Sequence, residues 1–316
     1  MSGRTLIFLA AWAVLRVPSA FADNYTFTRL TPGGSVGEFN LGGINNNDVV
    51  LAEVNGHLFT YDVHSGTYTN YNSLLPSQMG RIDDSGNFVY TTNVGGSFKG
   101  TIYDPSTNST TFFLDPNSPQ YTFASGVSGN GLIAGYYLNS SFNQPGFTKN
   151  GSTFTDVSYP GPHGQIYLWD VNNSGDVVGQ SSCCRAGVNF LKQGSTYTTI
   201  LDPLGSAANG SAYGLNDNDQ VVGWYDNGSG GPINGFLWEN GVSTTFNYPG
   251  ASSTVLADIN DNGLIFGAAV DASGTFLFVA TPDPVPEPTS VVLLGSLLLI
   301  VAGSCRLAKF AQRKST

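Results

Sequence analysis

The residues able to do acid–base chemistry are few and scattered. The chain contains three histidines, His57, His64 and His163, each in or beside a predicted hairpin or loop. None of them belongs to a recognisable serine, cysteine or zinc motif. An enzyme can still gather distant acids and histidines in space, so a polysaccharide-acting hydrolase or lyase stays open as an alternative. The sequence itself assigns no catalytic residue and favours a non-enzymatic protein.

The cysteines leave several chemistries open. Cys183 and Cys184 are adjacent, and Cys305 lies near the C-terminal end. Three cysteines do not make a paired disulfide framework. The adjacent pair can form a strained vicinal disulfide in an oxidising compartment, bind a soft metal, or remain as two thiols in one loop. The sequence does not choose among these states.

Two short stretches, "DDSGN" and "NNSGD", place oxygen-bearing side chains at alternating positions, as calcium-binding loops do. The residues concerned are Asp83, Ser85, Asn87, Asn172, Ser174 and Asp176. Neither stretch is followed by the bidentate glutamate of such loops, and Asn, Asp and Ser also occur in tight turns without an ion. Calcium at these two turns is therefore a possible cofactor, and turn formation without an ion is the alternative.

Aromatic side chains suggest binding. Trp169, Trp224 and Trp238 lie on predicted strands of the later part of the chain. Exposed rings can stack on sugars, whereas most large aromatic side chains pack in cores. Trp224, at a strand end before "YDNGSGG", is the best candidate for an exposed ligand-binding residue.

The elements that position these residues come from one motif repeated six times. The copies are "GINNNDVVLAEV", "RIDDSGNFVYTT", "GVSGNGLIAGYY", "DVNNSGDVVGQS", "GLNDNDQVVGWY" and "DINDNGLIFGAA". Their apolar anchors, at intervals of 38, 45, 44, 44 and 44 residues, are Ile44, Ile82, Val127, Val171, Leu215 and Ile259. Such a regular period is the signature of a repeat architecture.

Each unit has the same internal order. The anchor is followed by Asn, Asp, Ser or Gly, which favour a tight turn, and then by β-branched residues. An aromatic strand such as "GFLWENG" and a Thr-rich strand such as "STTFNYPG" complete four strands in about 44 residues, the size of a propeller blade. The sequence therefore predicts an all-β fold, a six-bladed β-propeller over residues 23–282.

The two ends of this body predict how the ring closes. The last unit lacks its Thr-rich fourth strand, and a matching segment, "YTFTRLTPGG", stands at the start of the mature chain. We predict that Tyr25–Leu30 pairs as the outer strand of the sixth blade, which would close the ring and hide both sheet edges.

The repeat, with cores such as "GLNDNDQVVGW" and strands such as "GFLW", resembles the HAF-type extracellular repeats of bacterial secreted proteins, whose presumed fold is propeller-like. The resemblance covers residues 43–280 and implies no enzymatic activity. The first unit departs from the pattern at Asp48, which stands where the turn glycine is expected. The second unit departs at Arg81, which precedes its anchor.

Residues 1–22 have the features of a secretory signal peptide. Arg4 supplies the basic segment, residues 6–15 form an apolar core, and small residues precede a cleavage site between Ala22 and Asp23. A transmembrane helix is the rival interpretation, but the apolar run is too short. The sequence therefore predicts export of the mature chain.

The C-terminal part has three segments. Residues 283–290 form a linker that contains Pro286, Glu287 and Pro288, and residues 291–311 form a predicted transmembrane helix with a tail to 316. The basic residues expected to stay in the cytoplasm are Arg306, Lys309, Arg313 and Lys314.

These three segments, in this order, resemble the PEP-CTERM sorting signal of Gram-negative bacteria. In that signal, Pro-Glu-Pro is read by a membrane enzyme called exosortase, and the helix is then discarded. The resemblance implies transient anchoring in the inner membrane, followed by delivery to the cell surface or extracellular matrix. A plain C-terminal anchor is the alternative.

The charge distribution separates the body from its ends. Six of the 12 lysines and arginines lie in the two terminal segments, which leaves six against all 22 acidic residues and a formal charge of −16 for residues 23–305. Such a body repels phosphate backbones, so nucleic acid is not an expected partner.

Together these features predict a non-enzymatic exported surface or matrix protein with an interaction or structural role. Its expected partners are an exosortase-type enzyme and extracellular polysaccharide or surface proteins. A propeller lectin is the alternative, beside the hydrolase or lyase.

Overall fold

The computed structural model describes residues 24–30, 38–74, 76–160, 164–182 and 187–284, and within these ranges it contains strands and turns but no α-helix. The strands are β1 Tyr25–Leu30, β2 Phe39–Ile44, β3 Val49–Val54, β4 His57–Asp62, β5 Thr67–Asn70, β6 Gln78–Ile82, β7 Phe88–Val94, β8 Ser97–Asp104, β9 Ser109–Phe113, β10 Tyr121–Val127, β11 Ile133–Leu138, β12 Gly146–Asn150, β13 Thr153–Val157, β14 Gln165–Val171, β15 Val177–Ser182, β16 Val188–Gln193, β17 Thr196–Thr199, β18 Gly210–Leu215, β19 Val221–Tyr225, β20 Asn234–Glu239, β21 Val242–Thr245, β22 Ser253–Ile259, β23 Ile265–Asp271 and β24 Gly274–Pro282.

The strands form propeller-like sheets. Four sheets have four antiparallel strands each: β2 to β5, β14 to β17, β18 to β21, and β22 to β24 with β1. A fifth sheet has eight strands, in which β6 to β9 and β10 to β13 are joined by one parallel pair, Phe98 with Tyr121. The fold is therefore all-β and propeller-like, with four separate four-stranded blades, and the predicted six blades do not appear as six separate sheets.

Strand β1 occupies the edge that the sequence predicted. It pairs antiparallel with β24, from Tyr25 opposite Pro282 to Leu30 opposite Leu277. Leu30 is buried, and the ring of Phe27 packs against aromatic rings of the neighbouring strands and loop. The first strand of the chain therefore completes the sheet that is formed by its last three strands.

The core consists of apolar layers between neighbouring sheets. Val222 and Leu237 of one sheet, for example, pack against Leu256 and Ile265 of the next. These residues are at most 3% exposed. Because successive side chains of a strand point to opposite faces, one strand contributes to the layers on both sides of its sheet, as Leu256 and Ala257 of β22 do.

The repeated turn after each anchor has one backbone requirement. The fourth residue after the anchor has a positive φ in all six units, between 59° and 85°, at Asp48, Gly86, Gly131, Gly175, Asp219 and Gly263. Gly adopts this conformation without strain, and Asp is one of the few other residues that tolerate it. Asp48 therefore departs from the repeat in sequence while keeping the turn geometry.

Several predicted features lie outside the described residues. They are the cleavage site at Ala22 and Asp23, the Pro286-Glu287-Pro288 motif, the basic cluster, the 291–311 helix, His163, and the pair Cys183 and Cys184. Within the described ranges, no helix is long and apolar enough to cross a membrane.

Candidate functional site

The first strand of each repeat lies next to the axis of the ring. These inner strands are β2, β6, β10, β14, β18 and β22, each of which contacts the next, and β22 contacts β2. They run from one mouth of the central channel to the other, and each ends at the repeated turn. The two mouths differ in chemistry.

At the turn mouth, the six turns are linked in a closed circle of hydrogen bonds. Asn46 N donates to Asp84 Oδ1 at 2.8 Å, and Asp261 N donates to Asn46 Oδ1 at 2.8 Å. The remaining links are Asp84 N to Gly129 O, Asn130 N to Asn173 Oδ1, Asn173 N to Asp217 Oδ1, and Asp217 N to Asp261 Oδ1. The turns surround a cavity of about 40 Å³.

The two candidate calcium turns use their oxygens within the turn. Asp83 accepts hydrogen bonds from the backbone and side-chain nitrogens of Asn87. Asn172 Oδ1 accepts from the backbone nitrogens of Ser174 and Asp176. Among the residues that the structure describes, no group of three or more His, Cys, Asp or Glu side chains is arranged for a metal ion. Calcium at these turns stays a prediction.

Deeper in the channel, the residue before each anchor alternates between glycine and a charged residue. In chain order these residues are Gly43, Arg81, Gly126, Asp170, Gly214 and Asp258. A Cβ atom on Gly43 would lie 2.3 Å from Asp258 Oδ2 and 2.4 Å from Arg81 Cδ. The glycines therefore leave the space that the charged side chains need.

The three charged side chains form a buried cluster. Arg81 donates to the backbone carbonyls of Gly42, Ala257 and Tyr213, the last two at 2.8 and 3.3 Å. Its Nε lies 3.5 Å from Asp258 Oδ2 and 3.9 Å from Asp170 Oδ2. The carboxylates also accept hydrogen bonds from backbone nitrogens at the anchors. The cluster thus ties five of the inner strands together at the axis, namely β2, β6, β14, β18 and β22.

Burial changes the pKa of both carboxyls in this cluster. Burial raises the pKa of Asp170 well above its ordinary value of 3.8, and the charge of Asp258 adds to the rise while Arg81 opposes it. The pKa of Asp258 is also raised by burial, but Arg81 and backbone N–H groups offset part of this rise. The net shift of the pKa is therefore upward at both carboxyls.

The opposite mouth holds a larger pocket of about 390 Å³, which we call the aromatic mouth. Its lining residues are Phe39, Asn40, Leu41, Gln78, Met79, Arg81, Ser125, Trp169, Tyr213, Trp224, Val255 and Ala257. Arg81 borders this pocket, whereas Asp170 and Asp258 border the small cavity at the turn mouth. The charged cluster therefore lies between the two.

Three buried polar atoms of the aromatic mouth lack a hydrogen-bond partner. They are Ser125 Oγ, Trp169 Nε1 and Arg81 Nε. Two other such side-chain atoms occur in the described parts of the chain, on Asp115 and Asp202, and neither residue lines this pocket. Arg81 Nε faces the Asp258 carboxylate at 3.5 Å, which leaves Ser125 Oγ and Trp169 Nε1 as the two polar atoms that a ligand could pair. An unpaired buried polar group costs about 1–3 kcal/mol, so a ligand that pairs with these atoms would recover that cost.

Contacts between aromatic side chains hold the walls of the aromatic mouth in place. Trp169 stacks on Tyr167 at a centroid distance of 5.6 Å and meets Tyr213 edge-on at 5.4 Å. Tyr136 donates its hydroxyl proton to Gln78 Oε1 at 3.1 Å. Burial raises the pKa of Tyr136 to about 12, so this donor keeps its proton near neutral pH.

The structure places the other predicted residues as follows. Trp224 is partly buried and lines the aromatic mouth, whereas Trp238 is buried in the core. His57 contacts Asn72, and His64 pairs with Asp48 at 2.8 Å. Neither histidine lines the aromatic mouth.

Sequence reasoning missed Ser125, Tyr213 and the central role of Arg81. Arg81 carried a signal, since it stands in a column otherwise filled by Gly and Asp. That signal was visible only as a departure from the repeat. The other residues that line the channel, such as Ser125 and Tyr213, had no comparable signal in the sequence.

Comparisons with known proteins show the fold. No protein-family model matches the sequence, and no curated protein matches it. A solved structure of a putative TolB from Agrobacterium tumefaciens has a TM-score of 0.51 and 14% identity, covering 78% of this chain and 91% of that one. A gluconolactonase from Xanthomonas campestris has a TM-score of 0.49 and 12% identity, covering 84% and 96%.

TolB from Acinetobacter baumannii has a TM-score of 0.48 and 11% identity, and the match covers 72% of this chain. The match spans 60% of the length of that protein. The similarity to the structure from Agrobacterium tumefaciens supports a propeller-like fold, and at 14% identity it carries no activity with it.

Proposed function

We propose that this protein is an exported, non-enzymatic interaction protein of the cell surface or extracellular matrix, and that it binds its partner at the aromatic mouth. The observation that carries the proposal is the pocket itself. It combines partly buried rings with buried polar atoms that have no partner within the protein. Mostly apolar pockets with a few convergent polar groups are typical of binding sites.

The surroundings of the pocket support binding without rearrangement. The circle of turn hydrogen bonds and the Arg81 cluster hold the inner strands from below, and ring contacts hold Trp169 from the side. A pre-organised site loses little conformational freedom when the partner binds. The pocket therefore suits a recognition role.

We further propose that the ring has six blades. Six inner strands surround the axis, and the circle of turn hydrogen bonds has six members. In the eight-stranded sheet, the two groups of four strands are joined by a single parallel residue pair. These contacts support counting that sheet as two blades that are paired as strands at one residue pair and otherwise pack through an apolar layer.

Export of the protein depends, in this proposal, on its two terminal segments. We propose that the repeats are HAF-type, that the signal peptide is cut between Ala22 and Asp23, and that an exosortase-type enzyme reads Pro286, Glu287 and Pro288. The support is the sequence order of linker, apolar segment and basic cluster. The helix would hold the chain in the inner membrane until this step.

Cell fractionation tests both the export of the protein and its binding at the aromatic mouth. The change Pro286→Ala with Glu287→Ala should leave unprocessed protein in the inner membrane, while the control Thr289→Ala is processed normally. Leu41→Trp, which fills the aromatic mouth, should be exported but washed from the surface. Its control is Val242→Trp, at a side chain that is 64% exposed and outside the pocket.

Three results would contradict the proposal. Normal processing of the Pro286 and Glu287 variant would remove the sorting claim. Equal surface retention of the Leu41→Trp variant would remove the role of the aromatic mouth. Release of shortened products from extracellular polysaccharide by the purified protein would replace the non-enzymatic role with a hydrolase or lyase.

A further inference from the structure

We infer that the aromatic mouth binds an uncharged sugar ring of an extracellular polysaccharide, between Trp169, Tyr213 and Trp224 and beside the hydroxyl of Ser125. This inference rests on the proposed interaction function and names the class of its ligand. It is carried by three features of the pocket: its rings, its unpaired donors and its charge balance.

The rings provide surfaces for a sugar. Trp169 and Tyr213 stand edge to face, and Trp224, from the second strand of the same blade as Tyr213, lines the pocket beside them. A pyranose ring has an apolar C–H face that packs on aromatic rings and a hydroxyl rim that needs hydrogen bonds. The volume of about 390 Å³ lies within the usual range for small-ligand pockets.

The unpaired polar atoms match that hydroxyl rim. Ser125 is 5% exposed, and its Oγ can donate or accept. Trp169 Nε1 can only donate. The amide of Gln78 lines the same pocket and is oriented by the hydroxyl of Tyr136. Sugar hydroxyls are donors and acceptors at once, so they can satisfy both kinds of group.

The charge balance favours an uncharged ring. Arg81 is the only lysine, arginine, aspartate or glutamate in the described lining of the pocket. Its charge is already compensated by Asp258 at 3.5 Å, and its guanidinium donates to three backbone carbonyls. The surrounding body, with a formal charge of −16 from six basic and 22 acidic residues, repels acidic polymers. An acidic sugar would therefore gain little from Arg81.

The test uses the full-length protein on an array of neutral gluco-, galacto- and manno-oligosaccharides together with uronic-acid oligosaccharides. The best neutral glycan is then titrated calorimetrically. We expect binding to neutral glycans without product formation, and a loss in affinity of about tenfold or more for Trp224→Ala.

Two further variants make the test specific. Trp169→Phe keeps a ring and removes the indole donor, so it should weaken binding while leaving the thermal midpoint close to that of the wild type. Phe112→Ala removes a ring that is 47% exposed and outside the pocket, so its affinity should equal that of the wild type.

Three results would overturn the inference, and a fourth would overturn the proposed function. Preference for uronic-acid glycans, no binding to any glycan, or neutral-glycan binding that survives Trp224→Ala would each overturn the inference. A preference for uronic-acid glycans would leave the proposed interaction function standing with an acidic glycan as partner, and no glycan binding would leave it standing with a surface protein as partner. Neutral-glycan binding that survives Trp224→Ala would place glycan recognition outside the aromatic mouth. Product formation would overturn the proposed function itself.

Discussion

At the scale of residues, the centre of the ring depends on three side chains from three different repeats. Arg81, Asp170 and Asp258 are each less than 10% exposed and lie where the neighbouring repeats have glycine. Removing one member of a buried charged group usually costs more than the group contributes, because the remaining charges lose their partners. The protonation of Asp170 is therefore coupled to the stability of the whole ring.

The coupling has a definite sign. Because the pKa of Asp170 is raised, the folded protein keeps a proton that the unfolded chain releases above about pH 4. The contribution of Asp170 to the free energy of unfolding is fully present below that pH, and it is lost as the pH rises toward the folded-state pKa. Arg81 and Asp258 are the charged groups that face it.

We therefore expect Asp170→Asn to flatten the decline of the free energy of unfolding with rising pH. The change in slope has an upper limit of about 1.4 kcal/mol per pH unit, the value for one proton. Denaturant unfolding between about pH 4.5 and 7 measures it.

Asp104 provides the matched control for this change. Hydrogen bonds from Ser106 and Thr107 lower the pKa of this exposed residue. Asp104 is therefore ionised in both folded and unfolded states over this pH range, and Asp104→Asn should leave the slope unchanged. Equal slopes for the wild type and Asp170→Asn would show that Asp170 is already ionised in the folded protein.

At the scale of elements, the repeat was predictable because its turns obey a local rule. The anchor, the Asx residues and the positive-φ position recur at fixed spacing, so each turn could be located from the sequence. The pairing of β1 with β24 followed from the missing fourth strand of the last unit. Which turn residues bond to the next turn was not predictable, since these contacts join residues 38 to 45 or about 215 positions apart.

We expect strand β1 to contribute strongly to the free energy of unfolding. Deleting Tyr25–Leu30 exposes one edge of β24 and removes the buried Leu30, whose loss alone would cost about 2–5 kcal/mol. The free energy of unfolding should therefore fall by more than about 3 kcal/mol in denaturant titrations. Thr28→Ala, at an exposed position of the same strand, should change it little. A deletion variant as stable as the wild type would show that closure by β1 is dispensable.

At the scale of the whole molecule, the all-β propeller-like fold was predictable and the candidate site largely was not. The period and strand count fix the architecture, and Trp224 was predicted as a ligand-binding residue that the structure places at the aromatic mouth. Ser125, Trp169 and Tyr213 meet there only because three inner strands, distant in sequence, converge at the axis. The blade count of six stays a prediction, because one sheet holds eight strands.

Tryptophan indole NMR shows directly whether the aromatic mouth is the binding site. With the indole nitrogens labelled and assigned by single Trp→Phe variants, a neutral oligosaccharide is added to saturation. We expect the indole N–H signals of Trp169 and Trp224 to shift and that of the buried Trp238 to stay in place. Saturable binding that leaves the signals of Trp169 and Trp224 unmoved would contradict this expectation.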